Sequence, residues 1–225
     1  MLEIDPPDTT CICPLCASSA PFTHIIGPQN RAYLLCQNCQ LIFMERQFLP
    51  DRTSEEKRYT AHQNGPQDEG YVRFLNLAIT PALPFLCAGM HGLDYGCGPT
   101  PTLGGLLNLH GLHCENFDPF FYPEFSEKRF DYIFATEVVE HFFQPGQELE
   151  RINNLLVPGG ILTIMTEPWK TLQGFSEWHY AKDFTHVCFY HAKTIDYICT
   201  EYGFEKLNRD DSRISVLKKT FNERN

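Results

Sequence analysis

Apolar positions along the chain alternate between strand-like runs and stretches with helical spacing. A short strand-like run at 90–95 is followed by Thr100 and Pro101, which suit a helix N-cap and a first helical position. Four residues beyond them recur at the spacing of one helix face: Leu103, Leu106, Leu107 and His110. The pattern therefore predicts a strand, a turn and a helix in this order.

The remaining apolar runs continue this alternation to the end of the chain. Helices with one apolar side are predicted from about Gly70 to Ile79 and from Ala192 to Tyr202. The predicted strands cover residues 113–118, 129–135, 162–166, 204–208 and 213–218.

The composition is that of a folded chain with a substantial core. Hydrophobic residues make up 43% of the 225 residues and charged residues 20%, so one large domain plus a small appendage is expected. No apolar stretch is long enough to span a bilayer, and the acidic residues 1–5 lack the basic and apolar regions of a secretory signal. We therefore expect a cytoplasmic protein with no membrane partner.

The formal net charge of −10 argues against a nucleic-acid partner, because binding to a polyanion usually requires a basic patch. Basic residues come at most in pairs, as at Lys57-Arg58 and Lys218-Lys219. A local basic groove stays open as an alternative.

Five of the ten cysteines lie in the first 39 residues. Four of them form two Cys-x-x-Cys pairs with nineteen residues between the pairs: Cys13, Cys16, Cys36 and Cys39. This spacing predicts a structural zinc ribbon, because two such pairs complete a tetrahedron of thiolates around one ion. The alternatives are a redox dithiol, packed core thiols, or Cys11 in place of Cys13. Short ribbon strands are predicted at 22–26 and 33–35.

We expect three parts along the chain. Residues 1–50 form the zinc ribbon, residues 51–89 form a linker and a lead-in helix, and residues 90–225 form the main domain. The linker is predicted from the polar, charged segment 51–59 and from a turn at Asn64-Gly65-Pro66.

The hexapeptide at 93–98 carries the strongest chemical signal. It reads Leu-Asp-Tyr-Gly-Cys-Gly, with Asp94 two residues before Gly96 and Gly98 closing the turn. Glycines permit backbone angles that other residues avoid and let a ligand approach bare backbone. The following helix offers free amide groups to an anion. An ordinary tight turn is the alternative interpretation.

A second acid, Asp118, ends the next predicted strand. In a Rossmann-like fold such an acid faces the ribose hydroxyls, because a carboxylate can accept two hydrogen bonds from a diol. The alternative is an acid that begins the turn Asp118-Pro119. Two further elements follow in order: a strand that opens into Glu137–His141, and a proline-glycine turn before the strand at 162–166.

Together these four elements resemble class I S-adenosylmethionine-dependent methyltransferases, over residues 90–219. The cysteine-rich segment resembles that of bacterial members with an N-terminal zinc-binding region. The resemblance implies an α/β, Rossmann-like doubly wound sheet of the seven-strand type. A nicotinamide dehydrogenase is disfavoured, because the last glycine of the dinucleotide fingerprint would fall at Pro101.

The resemblance also implies a set of residues around S-adenosylmethionine: Asp94, Tyr95, Gly96, Cys97, Gly98, Asp118, Pro119, Thr136, Glu137 and Val138. Only twelve residues separate Asp118 from Asp131, too few for a helix and a third strand. We therefore predict that the third strand is missing, which gives the strand order 2-1-4-5-7-6. The usual adenine-binding acid then has no counterpart, and the candidates to contact adenine are Phe120, Phe121 and Tyr122.

Aromatic and polar residues concentrate at 175–191, after the fifth strand, where such folds place substrate-facing loops. His179 and His186 are the candidate general bases, followed by His141 and Glu140. Each histidine also has a purely structural interpretation. The sequence thus predicts a methyltransferase acting on a small-molecule acceptor. The alternatives are an rRNA or tRNA methyltransferase whose ribbon reads RNA, and a non-catalytic module that binds the cofactor.

Overall fold

The computed structural model describes residues 11–19, 21–61, 64–126, 128–208 and 213–220. In chain order its strands are β1 (Phe22–Ile26), β2 (Ala32–Cys36), β3 (Ile42–Met44), β4 (His91–Tyr95), β5 (His113–Phe117), β6 (Phe130–Thr136), β7 (Leu156–Met165), β8 (Cys188–Phe189), β9 (Phe204–Lys206) and β10 (Ile214–Lys219). The helices are α1 (Arg52–Thr60), α2 (Glu69–Ala82), α3 (Thr102–Asn108), α4 (Pro145–Leu155), α5 (His179–Lys182) and α6 (Ala192–Tyr202). None of these helices is both long and apolar enough to cross a membrane.

The larger sheet has six strands in the order β5-β4-β6-β7-β10-β9. Strands β4, β5, β6 and β7 run parallel, while β10 is antiparallel to both β7 and β9. This order is the predicted 2-1-4-5-7-6, so the expectation of a missing third strand is confirmed. Among the described residues between β5 and β6, an isolated bridge pairs Asp118 with Tyr122 and no further strand forms.

Alternating side chains of the larger sheet pack against helices on both faces. In β6, Tyr132 and Phe134 join one apolar core, to which α2 contributes Leu75 and Ile79. The neighbouring residues of β6 point into the other core, which α4 and α6 cover. Helix α2 begins where the Asp68 carboxylate accepts hydrogen bonds from two backbone amides, a normal N-cap. The sheet is therefore doubly wound, as predicted.

The smaller sheet joins the cysteine-rich segment to the region near residue 188. Its order is β1-β2-β3-β8, and β8 comes from far along the chain. The antiparallel pairing of β1 with β2 confirms the predicted ribbon strands. Arg31 is buried, and its guanidinium donates to the backbone oxygens of Ala181 and Asp183, 2.9 and 3.4 Å away. The first part of the chain thus braces residues 181–189.

The segment from 51 to 59, predicted as a linker, forms helix α1 instead. Its N-cap is Asp51, whose side chain accepts a hydrogen bond from the Ser54 amide, and Glu55 lies in the first turn. No residue of α1 is buried, so the apolar periodicity that reveals other helices is absent here. The N-cap residue Asp51 and the acidic first turn could have predicted this helix from the sequence.

The start of α3 also differs from the prediction, which placed the N-cap at Thr100. Thr100 accepts a hydrogen bond from the amide of Thr102, which closes a tight turn, and Pro101 occupies the cap position. At the other end α3 stops at Asn108, before Gly111 with φ of 74°. His110 is therefore exposed outside the helix, and its predicted place on the apolar face is wrong.

Candidate active site

A glycine turn, residues 96–98, follows β4 at the carboxyl edge of the sheet. Gly96 has φ of 85° and Gly98 has φ of 65°, both in the left-handed region that favours glycine. The amides of Gly96 and Cys97 donate to the Phe117 oxygen at 2.7 and 3.0 Å, which ties the turn to the end of β5. A Cβ on Gly98 would meet no atom within 4 Å, so this side of the backbone is free for a ligand.

Asp94 lies in β4 just before the turn and is 4% exposed. None of the described residues donates a hydrogen bond to its carboxylate. Burial, together with the charge of Asp118, raises the pKa of Asp94 to about 7. A buried carboxyl group without a donor suits a ligand that brings hydrogen-bond donors or a positive charge.

Asp118 supports the same region through backbone contacts. One oxygen accepts a hydrogen bond from the amide of Gly98 at 3.1 Å. The other accepts from the amides of Phe120 and Phe121 at 2.9 and 3.2 Å. The acid therefore does begin a turn, which was the alternative interpretation, and it also borders the cavity described next.

An open cavity of about 800 Å³ extends from the glycine turn to the segment 179–186. Nine of the ten predicted cofactor residues line it: Tyr95, Gly96, Cys97, Gly98, Asp118, Pro119, Thr136, Glu137 and Val138. Asp94 is not among the lining residues. Of the adenine candidates, Phe120 lines the cavity while Phe121 and Tyr122 do not. The hydroxyl oxygen of Thr136 is buried without a hydrogen-bond partner among the described residues.

The turn after β6 packs beside the glycine turn and also lines the cavity. Glu137 has φ of 51°, a conformation that is costly for a residue with a long side chain, and its amide donates to the Met165 oxygen at 2.8 Å. This strained residue places Val138 against Gly96. The two turns therefore fix each other at the carboxyl edge of the sheet.

Two carboxylates from the turn after β6, the half-buried Glu137 and the buried Glu140, face residues 166–180. The Tyr180 hydroxyl donates to one oxygen of Glu140 at 2.6 Å, and the Thr166 hydroxyl donates to the other at 2.9 Å. Burial raises the pKa of Glu140, and burial together with the charge of Glu140 raises that of Glu137. Arg213 forms ion pairs with Glu137, at 3.4 Å, and with Glu167.

The two predicted bases lie in different surroundings, although both line the cavity. The side chain of His179 is 75% exposed, and its Nε2 lies 3.4 Å from Glu167. His186 is buried, and its Nδ1 donates to the backbone carbonyl oxygen of Tyr180 at 2.7 Å. Burial, with the nearby His141 adding to it, lowers the pKa of His186 to about 3. His186 is therefore neutral at physiological pH.

His141, the second-rank candidate, also borders the cavity. Its Nδ1 donates to the backbone carbonyl oxygen of Thr185 at 2.9 Å, and burial lowers the pKa of the imidazole. The sequence did not single out Arg58 or Arg213. Arg58 pairs with Asp183 at 2.6 Å. Arg213 directly precedes β10. Because β10 pairs with β7, Arg213 lies at the carboxyl end of β7. Its position at the start of a predicted strand could have identified it from the sequence.

The four predicted zinc ligands come together in the smaller sheet. The sulfurs of Cys13, Cys16, Cys36 and Cys39 lie within 4.8 Å of one another, and Cys11 is not part of this group. The Cys13–Cys39 and Cys16–Cys36 sulfur distances are 3.6 and 3.5 Å. Four thiolates about 2.3 Å from a zinc ion lie roughly 3.8 Å apart, so the arrangement suits a tetrahedral site.

Comparison with known proteins gives the fold a family context. A family model described as "Methyltransferase domain" matches residues 68–208. No curated protein sequence matches the chain. A solved structure of Burkholderia thailandensis 1,6-didemethyltoxoflavin-N1-methyltransferase, with bound 1,6-didemethyltoxoflavin and S-adenosylhomocysteine, has a TM-score of 0.51 at 14% identity. The match covers 90% of this chain and 100% of the Burkholderia thailandensis chain.

Two other solved structures are similar at lower scores. An O-methyltransferase family protein from Burkholderia thailandensis has a TM-score of 0.49 at 13% identity, with 75% of this chain and 64% of that chain covered. A SAM-dependent methyltransferase from Archaeoglobus fulgidus has a TM-score of 0.46 at 16% identity, with 76% and 100% covered.

Proposed function

The chain belongs to the methyltransferase-domain family whose model matches residues 68–208, and we propose that it transfers a methyl group from S-adenosylmethionine to a small-molecule acceptor. The observation that carries this proposal is the cavity that joins the glycine turn to Glu140, Tyr180 and the histidines. Its volume of about 800 Å³ is in the range of sites that enclose small ligands. The net charge of −10 favours such an acceptor over nucleic acid.

The glycine end of the cavity is our proposed cofactor site. The free side of Gly98 leaves room for a ligand against bare backbone, and Asp94 offers a buried carboxyl group without a donor. We propose that the glycine turn holds the cationic amino-acid part, with the neighbouring buried carboxylate of Asp94 supplying the opposite charge, while Asp118 holds the ribose. When bound, S-adenosylmethionine supplies an activated methyl group on a sulfonium. The protein then has to position the acceptor in line with it.

The other end of the cavity would hold the acceptor. The exposed His179, beside Glu167, is our proposed proton acceptor. His186, the other predicted base, is a poor proton acceptor because burial keeps its pKa at about 3. The similar Burkholderia thailandensis structure holds 1,6-didemethyltoxoflavin together with S-adenosylhomocysteine, which supports a small-molecule acceptor.

We further propose that residues 1–50 form a zinc-stapled unit and that residues 90–225 form the catalytic unit, joined by residues 51–89. The sulfur positions support zinc. A closed site of four thiolates leaves no position for substrate, so this zinc would be structural. A cytoplasmic location and the absence of a nucleic-acid partner stay predictions from the sequence.

Transfer of a labelled methyl group tests the acceptor class. The protein is incubated with methyl-labelled S-adenosylmethionine and a cell extract, and the label is followed in the small-molecule, RNA and protein fractions. We expect label in the small-molecule fraction with the wild type, and none above background with Gly98→Val, whose side chain would enter the cofactor end. Label confined to RNA or protein, or no transfer by wild-type protein, would contradict the proposal.

A further inference from the structure

A cluster of three metal-ligand residues lines the acceptor half of the cavity. One oxygen of Glu140 and one imidazole nitrogen each of His141 and His186 all lie within 4.8 Å of one another. All three residues border the open cavity. We call them the Glu-His cluster; it is separate in sequence from the four cysteines.

The hydrogen bonds of the two imidazoles determine which nitrogen is available. Both Nδ1 atoms face backbone carbonyl oxygens, those of Thr185 and Tyr180, at 2.9 and 2.7 Å. A carbonyl can only accept, so each Nδ1 carries the proton. None of the described residues forms a hydrogen bond with either Nε2. Metal-binding histidines typically show this arrangement, in which one nitrogen is anchored to a carbonyl and the other binds the ion.

The two nearby arginines are paired with other acids. Arg213 is shared between Glu137 and Glu167, and Arg58 is paired with Asp183. Glu140 is fully buried, and its hydrogen-bond donors among the described residues are two neutral hydroxyl groups. Buried carboxylates are usually paired with a cation or bound to a metal, because an isolated buried charge is costly.

We propose that Glu140, His141 and His186 bind a divalent transition-metal cation on the wall of the cavity. Two histidines and one carboxylate bind such ions and leave coordination positions open. Bonds of about 2.1 Å hold ligands roughly 3 to 3.5 Å apart, so the side chains close in by on the order of 1 Å. Because all three residues border the cavity, the open positions of a bound ion would be accessible to a ligand oxygen there. This last step rests on the proposed function, whereas metal binding does not.

A manganese titration tests the site on full-length protein that has first been loaded with one zinc ion per chain and freed of excess metal. Mn²⁺ prefers oxygen and nitrogen ligands, so it does not compete for the four thiolates. The electron paramagnetic resonance signal of free Mn²⁺ reports the bound fraction. We expect about one Mn²⁺ bound per chain, with at least about tenfold weaker binding in His141→Ala and His186→Ala.

His179→Ala is the matched control, since His179 borders the same cavity outside the Glu-His cluster. It should bind Mn²⁺ as wild type does. Binding of S-adenosylhomocysteine is measured on every sample, so that a variant that fails to fold is recognised. Wild-type protein that binds the nucleoside but no Mn²⁺ would overturn the metal site and leave the cofactor proposal intact. Wild-type affinity in a folded His186→Ala variant would also overturn it.

Discussion

A Cβ atom placed on Gly96 would lie 2.2 Å from Cγ2 of Val138. The glycine turn and the turn after β6 are therefore packed so closely that no side chain fits between them. Gly96 also has φ of 85°, which adds strain for any other residue. These two turns adjoin at the glycine end of the cavity.

Gly96→Ala should separate the two turns and weaken binding of S-adenosylhomocysteine at least about tenfold, with a loss of roughly 1–3 kcal/mol in the free energy of unfolding. Calorimetry and chemical denaturation measure the two effects. The control is Gly105→Ala in α3, because a Cβ there meets no atom within 4 Å and φ is not positive. Equal affinity in the Gly96 and Gly105 variants would refute the packing argument.

Stability should depend on pH through Asp94. Because the pKa of the folded state is raised from 3.8 to about 7, the folded protein holds a proton that the unfolded chain releases between these values. The contribution of Asp94 to the free energy of unfolding therefore falls as pH rises from about 4 to 7. The free energy of unfolding of Asp94→Asn, taken relative to that of wild type, should therefore be higher at pH 8 than at pH 5, by a few kcal/mol at most.

Urea denaturation of the wild type and the Asp94→Asn variant at pH 5 and at pH 8 checks this prediction. Taking the difference between the two proteins at each pH cancels the contributions of the other titrating groups. The same substitution should weaken cofactor binding, since the amide cannot supply the negative charge. A stability difference that does not change with pH would mean that Asp94 titrates normally.

Tyr180→Phe removes the hydroxyl group that donates to the buried Glu140 at 2.6 Å. The loss leaves that oxygen without this donor, so we expect a destabilisation of about 1–3 kcal/mol in urea denaturation. Tyr197→Phe is the control, because the Tyr197 hydroxyl forms no hydrogen bond with the described residues. A Tyr180 variant as stable as the control would show that Glu140 needs no donor there.

Removal of the proposed zinc should loosen residues 187–189, beside the cavity, as well as the ribbon. Strand β3 pairs with β8, and Arg31 holds the backbone at 181–183. Hydrogen exchange after chelation should therefore speed up at 42–44 and at 187–189, while α2 keeps its protection. Faster exchange confined to residues before 45 would show that the stability of residues 187–189 does not depend on the ribbon.

The sequence predicted those parts of the fold whose signals are local. The glycine turn and α6 rest on short stretches of residues, and the twelve-residue gap after Asp118 was enough to predict the missing strand. Helix α1 was missed because it buries no residue. The pairing of β3 with β8 joins positions such as Phe43 and Cys188, and nothing local in either segment indicates the other.

The same limit applied to the candidate site. His186 and Glu140 were both named from the sequence, but their convergence with His141 depends on the path of residues 183–190. That path is fixed by distant contacts, such as the hydrogen bond that the Val187 amide donates to the backbone carbonyl oxygen of Glu140 at 2.8 Å. Arg31 and Arg213 lie far apart in the sequence. Only the fold brings Arg31 to the backbone oxygen of Ala181 and Arg213 to Glu137.

Titration calorimetry of wild-type protein with S-adenosylhomocysteine tests the central claim, that the glycine end of the cavity binds the methyl-donor cofactor. We predict one binding site per chain, with affinity lost in Gly98→Val and kept in Gly105→Ala. No heat of binding to folded wild-type protein, or unchanged affinity in the Gly98 variant, would contradict the account.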